Sequence, residues 1–140
     1  MTTTTKARQS MARGQLPILA LCVIDAGLLV TSGLIHLHFW NIAYRHVPTL
    51  GPLFLVQVIA TLLTAIALVA TRRLIVVAAA FLLMGGTIVG FILVRTVGLF
   101  NFKLGFTSGL AATVLVVAVI AMVMTAITAW VLTRSARAGS

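Results

Sequence analysis

Residues 16–37 read LPILALCVIDAGLLVTSGLIHL, an apolar run whose only acidic or basic residue apart from the terminal His36 is Asp25. About 20 apolar residues in a helix rising ~1.5 Å each are needed to cross the hydrocarbon core of a bilayer. Membrane β-strands would be shorter and would alternate. The run therefore predicts a transmembrane helix over about 16–38. Three further runs of the same kind follow, at about 48–70, 74–95 and 106–132. Pro17 and Pro48 stand where a helix start tolerates proline, and Pro52 falls in the first turns of the second span.

The whole composition agrees. The 140 residues are 61% hydrophobic and 8% charged, against roughly 45–50% and 25% in soluble domains. So few charges cannot cover a water-facing surface, and lipid must be the main solvent. The net charge of +9 resides in tails and connections, which argues against a nucleic-acid footprint. One cysteine, Cys22, permits no intrachain disulfide.

Basic residues give the orientation. Lys6, Arg8, Arg13, Arg72, Arg73, Arg134 and Arg137 lie on one side of the four spans, and Arg45, Arg95 and Lys103 on the other. The positive-inside rule then places both termini in the cytoplasm and the segment HLHFWNIAYRH outside. Trp40 and Tyr44 at one boundary and Trp130 at the other fit aromatic interface belts. The first span is too long for a cleavable signal core and is followed by HLHFW rather than a small-residue cleavage site. The expected organisation is a disordered basic tail at 1–15, one four-helix domain at 16–133 and a basic tail at 134–140.

Asp25 is the sole acid in the chain. An aspartate at a helix centre in the membrane is disfavoured by roughly 2.5–3.5 kcal/mol, so it must stay protonated or face donors inside the bundle. Depth counting places Gln57 at about the same level, with Gly85, Gly86 and Thr87 near the middle of the third span. Asp25, Ser32 and His36 are spaced by seven and eleven residues and share one helix face to within about 20°. Such a face serves as interhelix packing or as a proton or ion path. Arg95 lies at the far end of span three, ~15 Å above Asp25, too far for a direct pair. Gly86 and Gly90 form a GxxxG, and Gly27 with Thr31 adds small residues to span one, which suits close packing within the bundle or a homodimer. The threonines Thr61, Thr64, Thr125 and Thr128 are read as bonding their own helix backbones.

His36 and His38 are about 200° apart on a helix. Only an unwound segment would let them share a metal with His46, and no second histidine-bearing span exists for bis-histidine haem ligation. The bland alternative buries His36 in the bundle and wets His38 and His46 at the interface. No Walker, Rossmann or HExxH pattern occurs. No cofactor is expected.

The run HLHFWNIAYRHVPTLGPLFLVQ, 36–57, resembles a block found in small four-span membrane proteins of high-GC actinobacteria, in which I-H-L-x-x-W is followed by Y-R-x-x-P-T-x-G-P-L-F-L. The stretch LVRTVGLFNFK, 93–103, is similar to their loop after span three. That group is functionally uncharacterised, so the resemblance implies topology and no activity. It directs attention to an outward face gathering His36, Trp40, Tyr44, Arg45, Pro48, Arg95 and Lys103.

The reading is an all-α, N-in/C-in, membrane-spanning four-helix bundle of the cytoplasmic membrane, with two outer loops at 38–48 and about 96–106. His38, His46, Arg45, Arg95 and Lys103 are its outer-face binding candidates. Its partners are the bilayer, a membrane protein or a second copy. The expected role is a non-enzymatic accessory or assembly subunit of a larger membrane complex. The competing expectation is a small transporter, or a metal- or haem-linked redox protein, using Asp25, Gln57 and the outer histidines.

Overall fold

The computed structural model describes the backbone of residues 3–97 and 109–138, and the side chains of 16–97, 109 and 112–137. Every regular element among them is helical. Helix α1 spans Thr3–Phe39 and runs on as a π-helical turn over Trp40–Tyr44. Helices α2, α3 and α4 span Leu50–Thr71, Leu74–Thr96 and Gly109–Ala138. Four segments are long and apolar enough to cross a membrane: Leu16–Tyr44, Leu50–Thr71, Leu74–Thr96 and Ala112–Arg137.

Three boundaries differ from the sequence expectation. α1 is carried back to Thr3, through the segment read as a polar tail, so Pro17 lies inside a helix rather than at its start. The first span does not stop at residue 38. Most of the expected loop 38–48 is helical, leaving only 45–49 as a turn. α4 continues to Ala138, past the expected stop at 132, because TRSAR contains no helix breaker. The expected loop at 96–106, with Lys103 and the start of span four, lies outside the described residues apart from Thr96 and Val97.

The two described turns reverse the chain by different means. At 45–49, Gly51 N–H donates to Val47 O at 3.0 Å, and the backbone of Tyr44 and Arg45 passes over Gly51 so closely that a Cβ there would lie 2.8 Å from Tyr44 O. Only glycine fits that position. Between α2 and α3, Arg72 takes a left-handed conformation (φ 50°, ψ 34°) and its N–H donates to Leu68 O, so two residues complete the reversal.

Packing follows the chain order around the bundle: α1 lies against α2 and α4, and α3 against α4, with α2 and α3 the least closely packed neighbours. A Cβ on Gly33 would lie 2.7 Å from Thr61 Oγ1, and the His36 ring lies 5.4 Å from Phe54. Rising numbers on α1 meet falling numbers on α2, so the pair is antiparallel. The core joins Cys22 and Leu29, Ala65 and Leu68, Val77, Ala80 and Met84, and Ala118 and Ala121. Outside, the pattern of a soluble protein is inverted. Ile66 and Leu82 are 67% and 71% exposed, whereas Asp25, Ser32, Thr61, Thr125 and Thr128 are fully buried. Lipid-facing apolar residues and a sparse polar interior are what a bilayer solvent demands. Each end also carries a cation–π pair, Arg45 with Trp40 at 5.7 Å and Arg134 with Trp130 at 3.9 Å.

Candidate functional site

The polar groups of the bundle fall into two sets. The first is built on Asp25, which lies between Cys22 and Leu29 on the core face of α1. Its Oδ2 accepts a hydrogen bond from Thr128 Oγ1 of α4 at 2.6 Å. The same hydroxyl lies 3.0 Å from Met124 O. A threonine hydroxyl has one hydrogen and serves one of these acceptors at a time. Both contacts are satisfied together when the carboxyl carries a proton and donates it to Thr128 Oγ1, which then donates to Met124 O. Asp25 Oδ1 and Ser32 Oγ are buried without a partner among the described residues.

Thr128 is the partner that sequence reasoning missed, having been assigned to its own backbone. Gln57 is the partner it expected, and the register excludes this. Gly33 stands opposite Thr61 and His36 opposite Phe54, so Gln57 is level with about residues 33–37 of α1. That is ~8–12 residues, or ~12–18 Å, from Asp25. The depth count failed because span one continues to Tyr44. Counted from that end, Asp25 lies nineteen residues in and Gln57 only seven from Leu50.

The second set lies toward the π-helical end. Gln57 Nε2 donates to Thr87 Oγ1 at 2.9 Å, bridging α2 and α3. Thr87 Oγ1 donates its own hydrogen to Leu83 O at 3.0 Å, so it offers Gln57 a lone pair, which fixes the amide with its NH2 toward Thr87. His36 is buried, and its Nδ1 lies 2.8 Å from Ser32 O. A carbonyl only accepts, so Nδ1 carries the hydrogen and, in the neutral ring, Nε2 is left as an acceptor. His36, Gln57 and Thr87 line a cleft of about 220 Å³ whose other walls include Phe39, Tyr44, Phe54 and Phe91. Tyr44, expected at the wet boundary, is instead buried and stacks on Phe54 at 4.6 Å and 21°.

Gly86 and Gly90 line the same cleft. A Cβ on either would meet nothing within 4 Å, so they are not close-packing sites within the bundle. That role belongs to Gly33 against Thr61. Gly27 likewise has open space around it, and Thr31 donates to its carbonyl along an exposed face.

The remaining candidates are dispersed. His38, Arg45, His46 and Arg95 are exposed, Trp40 is half-buried, and Lys103 lies outside the described residues. The structure does not bring His36, His38 and His46 together; among the described residues no three His, Cys, Asp or Glu side chains are placed to share an ion. Compared with known proteins, the chain matches no family model, no curated sequence and no solved structure.

Proposed function

We propose that this polytopic membrane protein is a non-enzymatic accessory or assembly subunit of a larger complex in the cytoplasmic membrane, with both termini in the cytoplasm. The observation that carries the reading is the Asp25–Thr128 contact. The one acidic side chain of the protein is used inside the α1–α4 interface, where it ties two helices together, and it does not reach the cleft. The seven-to-three division of basic residues supports the orientation, and the resemblance of residues 36–57 to a block of small actinobacterial four-span proteins supports the cellular setting.

The test is capture of the tagged chain from membranes in mild detergent. A stoichiometric membrane-protein partner supports the proposal. Recovery only as a clean monomer or homodimer contradicts it.

A second reading, a small proton or ion transporter, has one observation in its favour: Asp25 Oδ1 and Ser32 Oγ are unpartnered on the buried face that ends at His36. It requires Asp25→Asn to abolish flux into proteoliposomes without lowering the yield of folded protein. Unchanged flux, or none in the unsubstituted protein, removes it.

A further inference from the structure

The cleft, walled mainly by α2 and α3 with residues of α1 and Val114 of α4, is unexplained by either reading. At about 220 Å³ it is smaller than the ~300–1,000 Å³ that encloses a whole drug-sized ligand. It is therefore sized for a head group whose remainder stays outside. α2 and α3 are the least closely packed neighbours, and Gly86 and Gly90 leave open space on the α3 wall.

Its lining specifies the head. A chain of rings runs along one wall: His36 to Phe54 at 5.4 Å, Phe54 to Tyr44 at 4.6 Å, and Tyr44 to Phe39 at 6.4 Å. Phe91 adds a ring from α3. Flat aromatic faces favour a flat aromatic guest, in offset or edge-to-face contact. Two polar atoms in this lining have no described partner. His36 is 9% exposed, its Nδ1–H is committed to Ser32 O, and its Nε2 remains an acceptor. Gln57 commits its amide nitrogen to Thr87 and retains Oε1, also an acceptor. Acceptors left open beside an apolar cleft call for a ligand that donates.

We infer that this cleft binds a phenolic lipid, meaning a hydroxylated aromatic ring carrying an apolar tail, with the hydroxyl donating to His36 Nε2 or Gln57 Oε1. The ring lies among Phe39, Tyr44, Phe54 and Phe91. The tail leaves across Gly86 and Gly90 into the bilayer. No bond is made or broken, and the site selects by donor and by ring.

The test uses the full chain in lipid nanodiscs, with 4-dodecylphenol, its methyl ether 4-dodecylanisole, and dodecanol as probes. A ligand that binds the folded state raises Tm in a saturable manner. Expected is a saturable rise with the phenol, and a half-saturation at least about tenfold higher for the ether, which has lost the donor, and for dodecanol, which has lost the ring. Gly90→Leu, whose side chain would fill the cleft, abolishes the phenol's effect while leaving the helical circular dichroism unchanged. Gly86→Ile provides a second filled cleft should the first variant fold poorly. Equal shifts with phenol and ether, equal shifts with phenol and dodecanol, no shift with any probe, or a shift that survives a folded cleft-filling variant would each overturn the assignment.

Discussion

Replacing Thr128 by valine keeps the side-chain shape and removes the hydroxyl that Asp25 Oδ2 contacts at 2.6 Å. Two effects add. One interhelical hydrogen bond is lost, worth ~0.6 and at most ~1.7 kcal/mol in a membrane bundle. The carboxyl is also left with both oxygens unpartnered at zero exposure, and an orphaned buried polar group costs about 1–3 kcal/mol. Because the unfolded chain in a micelle regains partners only partly, the sum expected is about 1–2 kcal/mol. Asp25→Asn behaves differently. Its amide N–H donates to Thr128 Oγ1, freeing the threonine hydrogen for Met124 O at 3.0 Å, and its cost stays within the ~0.6 kcal/mol that one interhelical hydrogen bond is worth. The assay is equilibrium unfolding in mixed micelles followed by circular dichroism, where about 1.4 kcal/mol is a tenfold change in the folding constant. Thr128→Val indistinguishable from the unsubstituted protein, or Asp25→Asn as damaging as Thr128→Val, would refute the assigned geometry.

Further expectations follow for the glycines and the positive-φ residues, read by the same unfolding measurement except where proteolysis is named. Gly33→Val drives a Cβ to within 2.7 Å of Thr61 Oγ1 and lowers stability by about 1–3 kcal/mol through overpacking, whereas Gly86→Ala, with open space around it, is neutral or gains up to about 1 kcal/mol of helix propensity. Gly51→Ala meets backbone at 2.8 Å and loosens the 45–49 turn; proteolysis at that turn should rise, and unchanged cleavage would count against the close approach. Thr49 and Arg72 are the described non-glycine residues with positive φ, at 72° and 50°. Glycine at either should stabilise by about 1 kcal/mol.

Hydropathy located all four membrane-length helices, because a run of that length with almost no charge has no alternative in water. Helix rotation and register were harder to see. On a 3.6-residue helix Tyr44 would point about 80° away from His36. The wider π-helical turn at Trp40–Tyr44 holds the phase back and returns Tyr44 to the inner face against Phe54. Nothing in WNIAY marks such a turn, and the surrounding His38, Asn41 and Arg45 suggest a loop. The stripe of Asp25, Ser32 and His36 was visible as periodicity, but its partner depended on how far α4 extends. With α4 continuing toward Ala138, Thr128 comes level with Asp25; with a stop at 132 it does not. Gly86 and Gly90 show the opposite difficulty: GxxxG records that side chains are missing, and the space can hold a helix or remain a cleft.

The arrangement of four membrane-crossing helices is tested most directly by cysteine accessibility. In a Cys22→Ala background, single cysteines replace His46, Arg73 and Arg137, and a membrane-impermeant maleimide is applied to intact and permeabilised cells. The expected result is labelling of position 46 in intact cells, and of positions 73 and 137 only after permeabilisation. Labelling of positions 46 and 73 from the same side would contradict the fold.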